Sequence, residues 1–282
     1  MNIEELKKWG IQTLKQNQIE DANLQVKRLL AYILQVETSY LIRKEKEEVN
    51  HQQEQNFKEN IQQIIEGKPI QYITHTQEFM KLSFYVDKQV LIPQPDTECL
   101  VEAVLNIAKP NPNPKILDMC TGSGCIGISL ATYLTNSQIT ISDISKQALE
   151  VAKKNITRNQ VEKQITCIQS DMFEQLSTEE KWDILVSNPP YITQEEMKTL
   201  PESVKKEPKL ALEGGQDGLK FYRILLKEAP NYIKKEGYVC LEIGYTQKKA
   251  VQEIAQNTGN YQDITCLQDL AGLDRVIIAT LK

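Results

Sequence analysis

The residues best suited to do chemistry in this chain are Asn188-Pro189-Pro190-Tyr191, which directly follow the apolar run Trp182 to Ser187. Two consecutive prolines fix the backbone, remove two N–H donors and leave carbonyl oxygens free to accept hydrogen bonds. The side-chain oxygen of Asn188 and the carbonyl of Pro189 can therefore hold the two hydrogens of a primary amide or an exocyclic amine, leaving its third direction open. Tyr191 adds a flat wall for a planar group. An Asn-Pro-Pro turn also occurs as a plain loop; its place after a strand and downstream of a glycine-rich turn favours the catalytic reading.

That glycine-rich turn is the second constellation. The run Lys115 to Met119 leads into Cys120-Thr121-Gly122-Ser123-Gly124-Cys125-Ile126-Gly127, and a helix follows. Glycines there allow a sharp turn and close approach of a ligand to the N–H groups at the helix start. Gly122, Gly124 and Gly127 have the dinucleotide spacing, and Asp143, 21 residues after Gly122, ends the next strand where a ribose-binding acid would sit. NAD and S-adenosylmethionine both present an adenosine, so the loop alone does not choose between them. Asp118, at the strand end, suits a cationic ligand better than a pyrophosphate. Asp171, beside Met172 and Phe173, would offer an acceptor and apolar surface to an adenine. The three acids fall at three successive strand ends, the edge where open α/β sheets bind ligands.

The elements that must position these residues follow from periodicity. Residues 1–75 read as a small helical bundle: Val26, Leu29, Leu30, Ile33 and Leu34 form one stripe, and Phe57, Ile61, Ile64 and Ile65 another. Gly67 and Pro69 close its last helix. With 11 acids and 10 bases the segment is nearly neutral. From Ile70 to Ile92 short runs of β-formers suggest a hairpin, a linker over residues 76–92. From residue 93 to 282, strands (KILDM, QITISD, QITCIQ, WDILVSN, YVCLEI, DRVIIATL) alternate with helices expected over Ile126–Leu134, Lys146–Asn159 and Phe221–Lys234. Such alternation predicts a doubly wound, mostly parallel α/β sheet covered on both faces.

Composition narrows the function. With 33 Lys+Arg against 38 Asp+Glu the net charge is -5, and no window is dense in basic residues, which disfavours a bare nucleic-acid substrate. Six scattered cysteines without a CxxC pair, and only two histidines, read as free thiols with no metal site. No apolar run approaches a membrane span and no secretory pattern opens the chain, so a cytoplasmic protein is expected.

At these motifs the chain resembles the HemK/PrmC family of protein-(glutamine-N5) methyltransferases. The likeness covers nearly the whole length: the helical N-terminal region, Gly67 to Ile73, Leu91-Ile92-Pro93-Gln94-Pro95-Asp96-Thr97-Glu98, the glycine turn, Asn188 to Tyr191, Glu207-Pro208, Gly214 to Leu219, and Asp274-Arg275. It implies a Rossmann-like class I methyltransferase fold with S-adenosylmethionine as cofactor and no metal. It also implies cofactor contacts at Thr121 to Gly124, Asp143, Met172 and Asn188, with Cys120 in the same turn, and substrate contacts along Asn188 to Tyr191. The implied partner is a class 1 peptide chain release factor, whose Gly-Gly-Gln tip would be methylated, read by residues 1–75.

Rival readings are a glutamine methyltransferase of a large-subunit ribosomal protein, an adenine N6-methyltransferase, a nicotinamide-dependent oxidoreductase and a non-catalytic adapter. The oxidoreductase leaves Asn188 to Tyr191 without a role. Two departures stand out: Gln94 where the family usually has arginine, and Cys120 where a glycine is common. Gly214-Gly215-Gln216 spells the tip sequence itself and reads as a local turn.

Overall fold

The computed structural model describes residues 1–282. Its backbone divides into two compact units. The first comprises Met1–Thr76 with Pro201–Lys206, and the second Gln77–Leu200 with Glu207–Lys282.

The first unit is helical: α1 (Ile3–Gln16), α2 (Ala22–Leu34), α3 (Tyr40–Arg43), α4 (His51–Ile65) and α5 (Ile70–Thr74). Asn2 starts α1 with a capping box to Glu5, and the Asn50 side chain caps α4 by accepting from Gln53 N–H. The two predicted stripes meet in one core with Leu6 and Leu14. Gly10 matters there, because a Cβ on it would come within 2.7 Å of the Phe57 ring. Ile70–Thr74, expected within the β-rich stretch, is the short helix α5, which buries Ile70, Tyr72 and Ile73 at helical spacing.

The second unit opens with a hairpin, β1 (Gln77–Phe79) and β2 (Leu82–Phe84). Its two-residue turn, Met80-Lys81, has both φ angles positive, at 49° and 59°, as the right-handed twist of paired strands requires. There follow α6 (Asp96–Ala108), β3 (Lys115–Met119), α7 (Cys125–Tyr133), β4 (Gln138–Asp143), α8 (Lys146–Arg158), β5 (Ile165–Gln169) and β6 (Trp182–Ser187). After three single-turn helices, α9 (Glu196–Thr199), α10 (Glu202–Lys205, in the helical unit) and α11 (Lys209–Leu212), come α12 (Lys220–Glu228) and β7 (Ile233–Glu242). The chain finishes with α13 (Lys248–Asn257), β8 (Tyr261–Gln268) and β9 (Asp274–Leu281).

The sheet order is β5-β4-β3-β6-β7-β9-β8, parallel except for the pairings of β9 with β7 and with β8. Neighbouring residues of the central strands enter opposite cores: Ile116 and Ile184 pack with α6, α7 and α8, whereas Leu117 and Leu185 pack with α12 and α13. Burial on both faces explains the near-continuous apolar runs of those strands. Two expectations need correction. The helix expected to reach Lys234 stops at Glu228, where a 3-10 turn containing Pro230 intervenes, because proline has no N–H to extend the ladder. The edge strand β8 was unforeseen because its outward side is polar and mostly exposed. No helix is long and apolar enough to cross a membrane.

Candidate active site

Strand order reverses between β3, which leads to β4 and β5 on one side, and β6, which leads to β7 on the other. Such a switch point leaves a crevice outside the carboxyl ends of the two strands. Met119 pairs with Ser187 across it, and the Ser187 hydroxyl donates to the Met119 carbonyl at 2.6 Å. The glycine turn and Asn188 to Tyr191 thus leave the sheet side by side. Above them lies a cavity of about 400 Å³.

The turn is held by its own polar groups. Gly124 caps α7 with φ +82°, and Gly122 has φ +55° with open space where a Cβ would sit. Cys120 also has a positive φ, 60°, so the cysteine occupies a left-handed conformation that costs it about 1–2 kcal/mol and a glycine nothing. At Gly127 a Cβ would lie 2.6 Å from Ile141 and 3.0 Å from Asp118 Oδ2, so this glycine lets α7 press onto the sheet. Asn155, fully buried on α8, donates to the carbonyls of Ser123 (2.9 Å) and Tyr85 (3.0 Å), tying the turn to the exit of the hairpin.

The acids at the strand ends differ in environment. Asp118 is wholly buried and away from the cavity; its Oδ2 accepts from the Thr121 hydroxyl at 2.5 Å and Gly127 N–H at 2.9 Å. Burial pushes its carboxyl up to about 7 against those two bonds, so it braces the turn from beneath rather than facing a ligand. Asp143 lines the cavity; its two oxygens accept from Gly122 N–H and Ser145 N–H, both at 2.9 Å, while burial raises its pKa. Asp171 and Met172 line the same wall, Asp171 exposed and Met172 buried.

Of the proline-rich turn, Asn188 and Pro190 line the cavity, whereas Pro189 and Tyr191 do not. Asn188 Nδ2 donates to Thr97 Oγ1 at 3.1 Å, and the Tyr191 hydroxyl lies 3.3 Å from Glu242 Oε1. Gln247 Nε2 donates to the Tyr191 carbonyl at 3.1 Å, and a Cβ on Gly214 would come within 2.6 Å of Tyr191 Cα. Gly214-Gly215-Gln216 therefore buttresses the turn from behind, with Gln216 exposed to solvent.

The cavity brings together Cys120, Thr121, Gly122, Ser123, Asp143, Asp171, Met172, Asn188 and Pro190; Asp118 and Gly124 support it from outside. Sequence reasoning did not assign to the site another part of the lining, Gln89 to Leu91, Pro93 and Gln94 with Pro208 to Ala211. Glu207 links these two segments by accepting from Ile92 N–H at 2.9 Å, and burial raises its carboxyl to about 7. Gln94 belongs to this lining and donates to the Ile92 carbonyl at 3.0 Å. Thr97 and Glu242 were missed too, although a charged residue ending a buried strand beside the Asn188 strand is a readable signal.

A family model described as the methyltransferase small domain matches residues 95–216, and one described as the PrmC N-terminal domain matches residues 5–74. A protein of Clostridium acetobutylicum named release factor glutamine methyltransferase is 40% identical over 253 residues, covering 89% of this chain and 88% of that one. One of Bacillus cereus with the same name is 36% identical over 287 residues, covering all of both chains. Among solved structures, the hMettl16 catalytic domain in complex with a MAT2A 3'UTR hairpin superposes with a TM-score of 0.57 at 16% identity, over 77% of this chain and 84% of that one. At that identity it shows the fold alone.

Proposed function

The chain belongs to the release factor glutamine methyltransferase family, and from that premise we propose that it transfers a methyl group from S-adenosylmethionine to the side-chain amide nitrogen (N5) of the glutamine in the Gly-Gly-Gln tip of class 1 peptide chain release factors. The observation that carries the reading is one shared cavity, lined by the glycine turn and by Asn188 at the strand switch point. The residues present suit the cofactor: a carboxylate at the end of β4, an exposed acid beside a buried Met172, and a glycine whose missing side chain leaves open space. S-adenosylmethionine supplies an electrophilic methyl group on a sulfonium that departs as a neutral thioether.

Asp143 would accept from the ribose hydroxyls, Asp171 and Met172 would take the adenine, and Cys120 to Gly124 would bound the rest. An amide nitrogen is a poor nucleophile because its lone pair is delocalised, so holding it in line carries much of the catalysis. Asn188 Oδ1 and the Pro189 carbonyl would accept its two hydrogens and favour the positive charge that develops during attack. Tyr191, its hydroxyl turned to Glu242, would act by holding the turn rather than as a wall. Both histidines, His51 and His75, belong to the helical unit, so a histidine base from the second unit is excluded and loss of the proton to water would be the simpler route. The helical unit, nearly neutral and without a ligand loop, would read a surface of the release factor away from its tip.

The test is transfer of tritiated methyl from S-adenosylmethionine to a purified release factor. Label should appear on N5 of the tip glutamine and vanish when that glutamine is replaced in the partner. Label on nucleic acid, on a ribosomal protein in preference, or nowhere would overturn the reading.

A further inference from the structure

Behind Asn188 lies a buried polar chain that the proposed reaction does not by itself require. Thr97, on the first turn of α6, and Glu242, the last residue of β7, are each 2% exposed. Glu242 lies beside the Asn188 turn because Leu241 pairs with Ser187 across β6 and β7. The Tyr191 hydroxyl lies 3.3 Å from its Oε1, Oε2 has no hydrogen-bond partner, and the neighbouring Thr97 hydroxyl is the side chain that most favours the ionised carboxyl. Thr97 Oγ1 in turn faces Asn188 Nδ2 at 3.1 Å. A carboxylate sealed from water at this depth is costly unless something is gained by it.

We propose that Glu242 is a positioning residue that sets the hydrogen-bond direction of Asn188 through Thr97, so that Asn188 offers its oxygen, not its amino group, to the substrate amide. A threonine hydroxyl has one proton to give. An ionised carboxylate only accepts, so it draws that proton; the remaining lone pairs of Oγ1 then accept only from a donor, which the Asn188 amide supplies through Nδ2. The opposite end of the planar amide, Oδ1, is left for the cavity that Asn188 lines. If the carboxyl is protonated, the Thr97 proton is free to turn toward Asn188 and attract its oxygen. The amide then rotates and sets an N–H donor against the N–H groups of the substrate. This inference rests on the reaction proposed above and adds the group that makes Asn188 competent for it.

Burial pushes the Glu242 carboxyl up to about 7, opposed by Thr97, the charge of Arg275 and Tyr191. The titratable and charged groups around it are Tyr191, Asp96 and Cys99 on α6, Cys125 on α7, Tyr222 on α12 and Arg275 on β9. Arg275 is held by ion pairs to Asp269 at 3.0 Å and Asp96 at 3.1 Å, which divides its charge and leaves Glu242 with no dedicated counter-ion. The relay is therefore poised to work above neutrality and to reverse below it.

The experiment measures kcat, KM for the release factor and the pH profile of wild-type protein, Thr97→Val, Thr97→Ser and Glu242→Gln, with S-adenosylmethionine affinity from calorimetry. Thr97→Val keeps the shape and loses the relay. It should lower kcat by about 10²-fold, the lower end for loss of one preorganised transition-state hydrogen bond, with little change in KM or cofactor affinity. Thr97→Ser restores a hydroxyl and should recover most of the loss. The wild-type rate should fall as pH drops through about 7, and that limb should be absent in Thr97→Val and Glu242→Gln even though Asp118 and Glu207 are intact. A Thr97→Val protein with undiminished kcat and an unchanged acid limb overturns the relay. A wild-type protein that methylates no release factor overturns the function instead, so the two failures are distinguishable.

Discussion

At Asn188 the proposed mechanism depends on one side-chain oxygen facing the cavity. Asn188→Ala should lower kcat about 10²-fold or more, the loss expected for one preorganised transition-state hydrogen bond. The fold should survive, because the side chain is only partly buried. Single-turnover methylation at a near-normal rate would show that the turn has another role. Asp143 is tested on binding rather than rate. Asp143→Ala should weaken S-adenosylmethionine by roughly 1.5–3 kcal/mol, the scale of a hydrogen bond to a charged group. Part of that loss comes through the turn itself, since Gly122 N–H loses its acceptor. Unchanged affinity by calorimetry would move the ribose elsewhere. Both residues are legible in the sequence because the turn chemistry around them is local; the direction of Asp118 is not, since only packing puts its carboxyl under Gly127 rather than into the cavity.

Among the elements around the cavity, α7 has a tight tolerance. It is nine residues long, begins at a left-handed glycine, and can approach β4 only because residue 127 lacks a side chain. Gly127→Ala places a methyl 2.6 Å from Ile141 Cγ2 and crowds Asp118 Oδ2. Overpacking of this kind costs about 1–3 kcal/mol and should lift the helix start away from the cavity. Thermal melting should show the loss together with weaker cofactor binding; an unaltered melting temperature and affinity would mean the helix shifts freely. Gly10 poses a similar constraint between α1 and α4, against Phe57, but there the outcome is confined to the helical unit.

For the whole molecule, the buried carboxyls give stability an uncommon pH dependence. Asp118, Glu207 and Glu242 all rise to about 7 on folding. Between their unfolded pKa values near 4 and about 7 the native state binds more protons than the unfolded chain, so stability falls as pH rises through that window. Each such group removes up to about 1.4 kcal/mol per pH unit. The half-buried Glu4 and Glu54 and the exposed Asp217, held down at about 2 chiefly by hydrogen bonds from lysine or arginine, act the other way and only on the acid side. The melting temperature of the ligand-free protein should therefore drop by several degrees from pH 5.5 to pH 8; a flat or rising trend would contradict the buried ionisations. Activity should move oppositely, since the ionised form of Glu242 is the competent one.

The proposed division of labour is testable at the same scale. Removing residues 1 to about 75 should leave cofactor affinity intact, because every proposed adenosine contact lies in the second unit. Methylation of an intact release factor should fall steeply, while a short Gly-Gly-Gln peptide, which offers no distant surface, should be a similarly poor substrate for both proteins. Equal losses on peptide and whole partner would mean that the helical unit stabilises rather than recognises.

What the sequence by itself determined is local: the alternation of strands and helices, the helical stripes near the N-terminus, the glycine turn after β3 and the proline-rich turn after β6. Each follows from backbone freedom, a missing N–H or a periodicity, which act over a few residues. The helix expected to run to Lys234 overlooks the stop at Pro230, and the edge strand β8 has no expectation at all, since a polar strand exposed on one side has no apolar period to read. Only the tertiary structure decided what stands behind the cavity. The Asn188–Thr97 contact spans 91 residues and the Ile92–Glu207 contact 115, and both exist because strand order sets β3, β6 and β7 side by side with α6 and the 207–211 segment packed near their ends. A carboxyl takes its direction and its pKa from neighbours of that kind, which sequence spacing does not reveal.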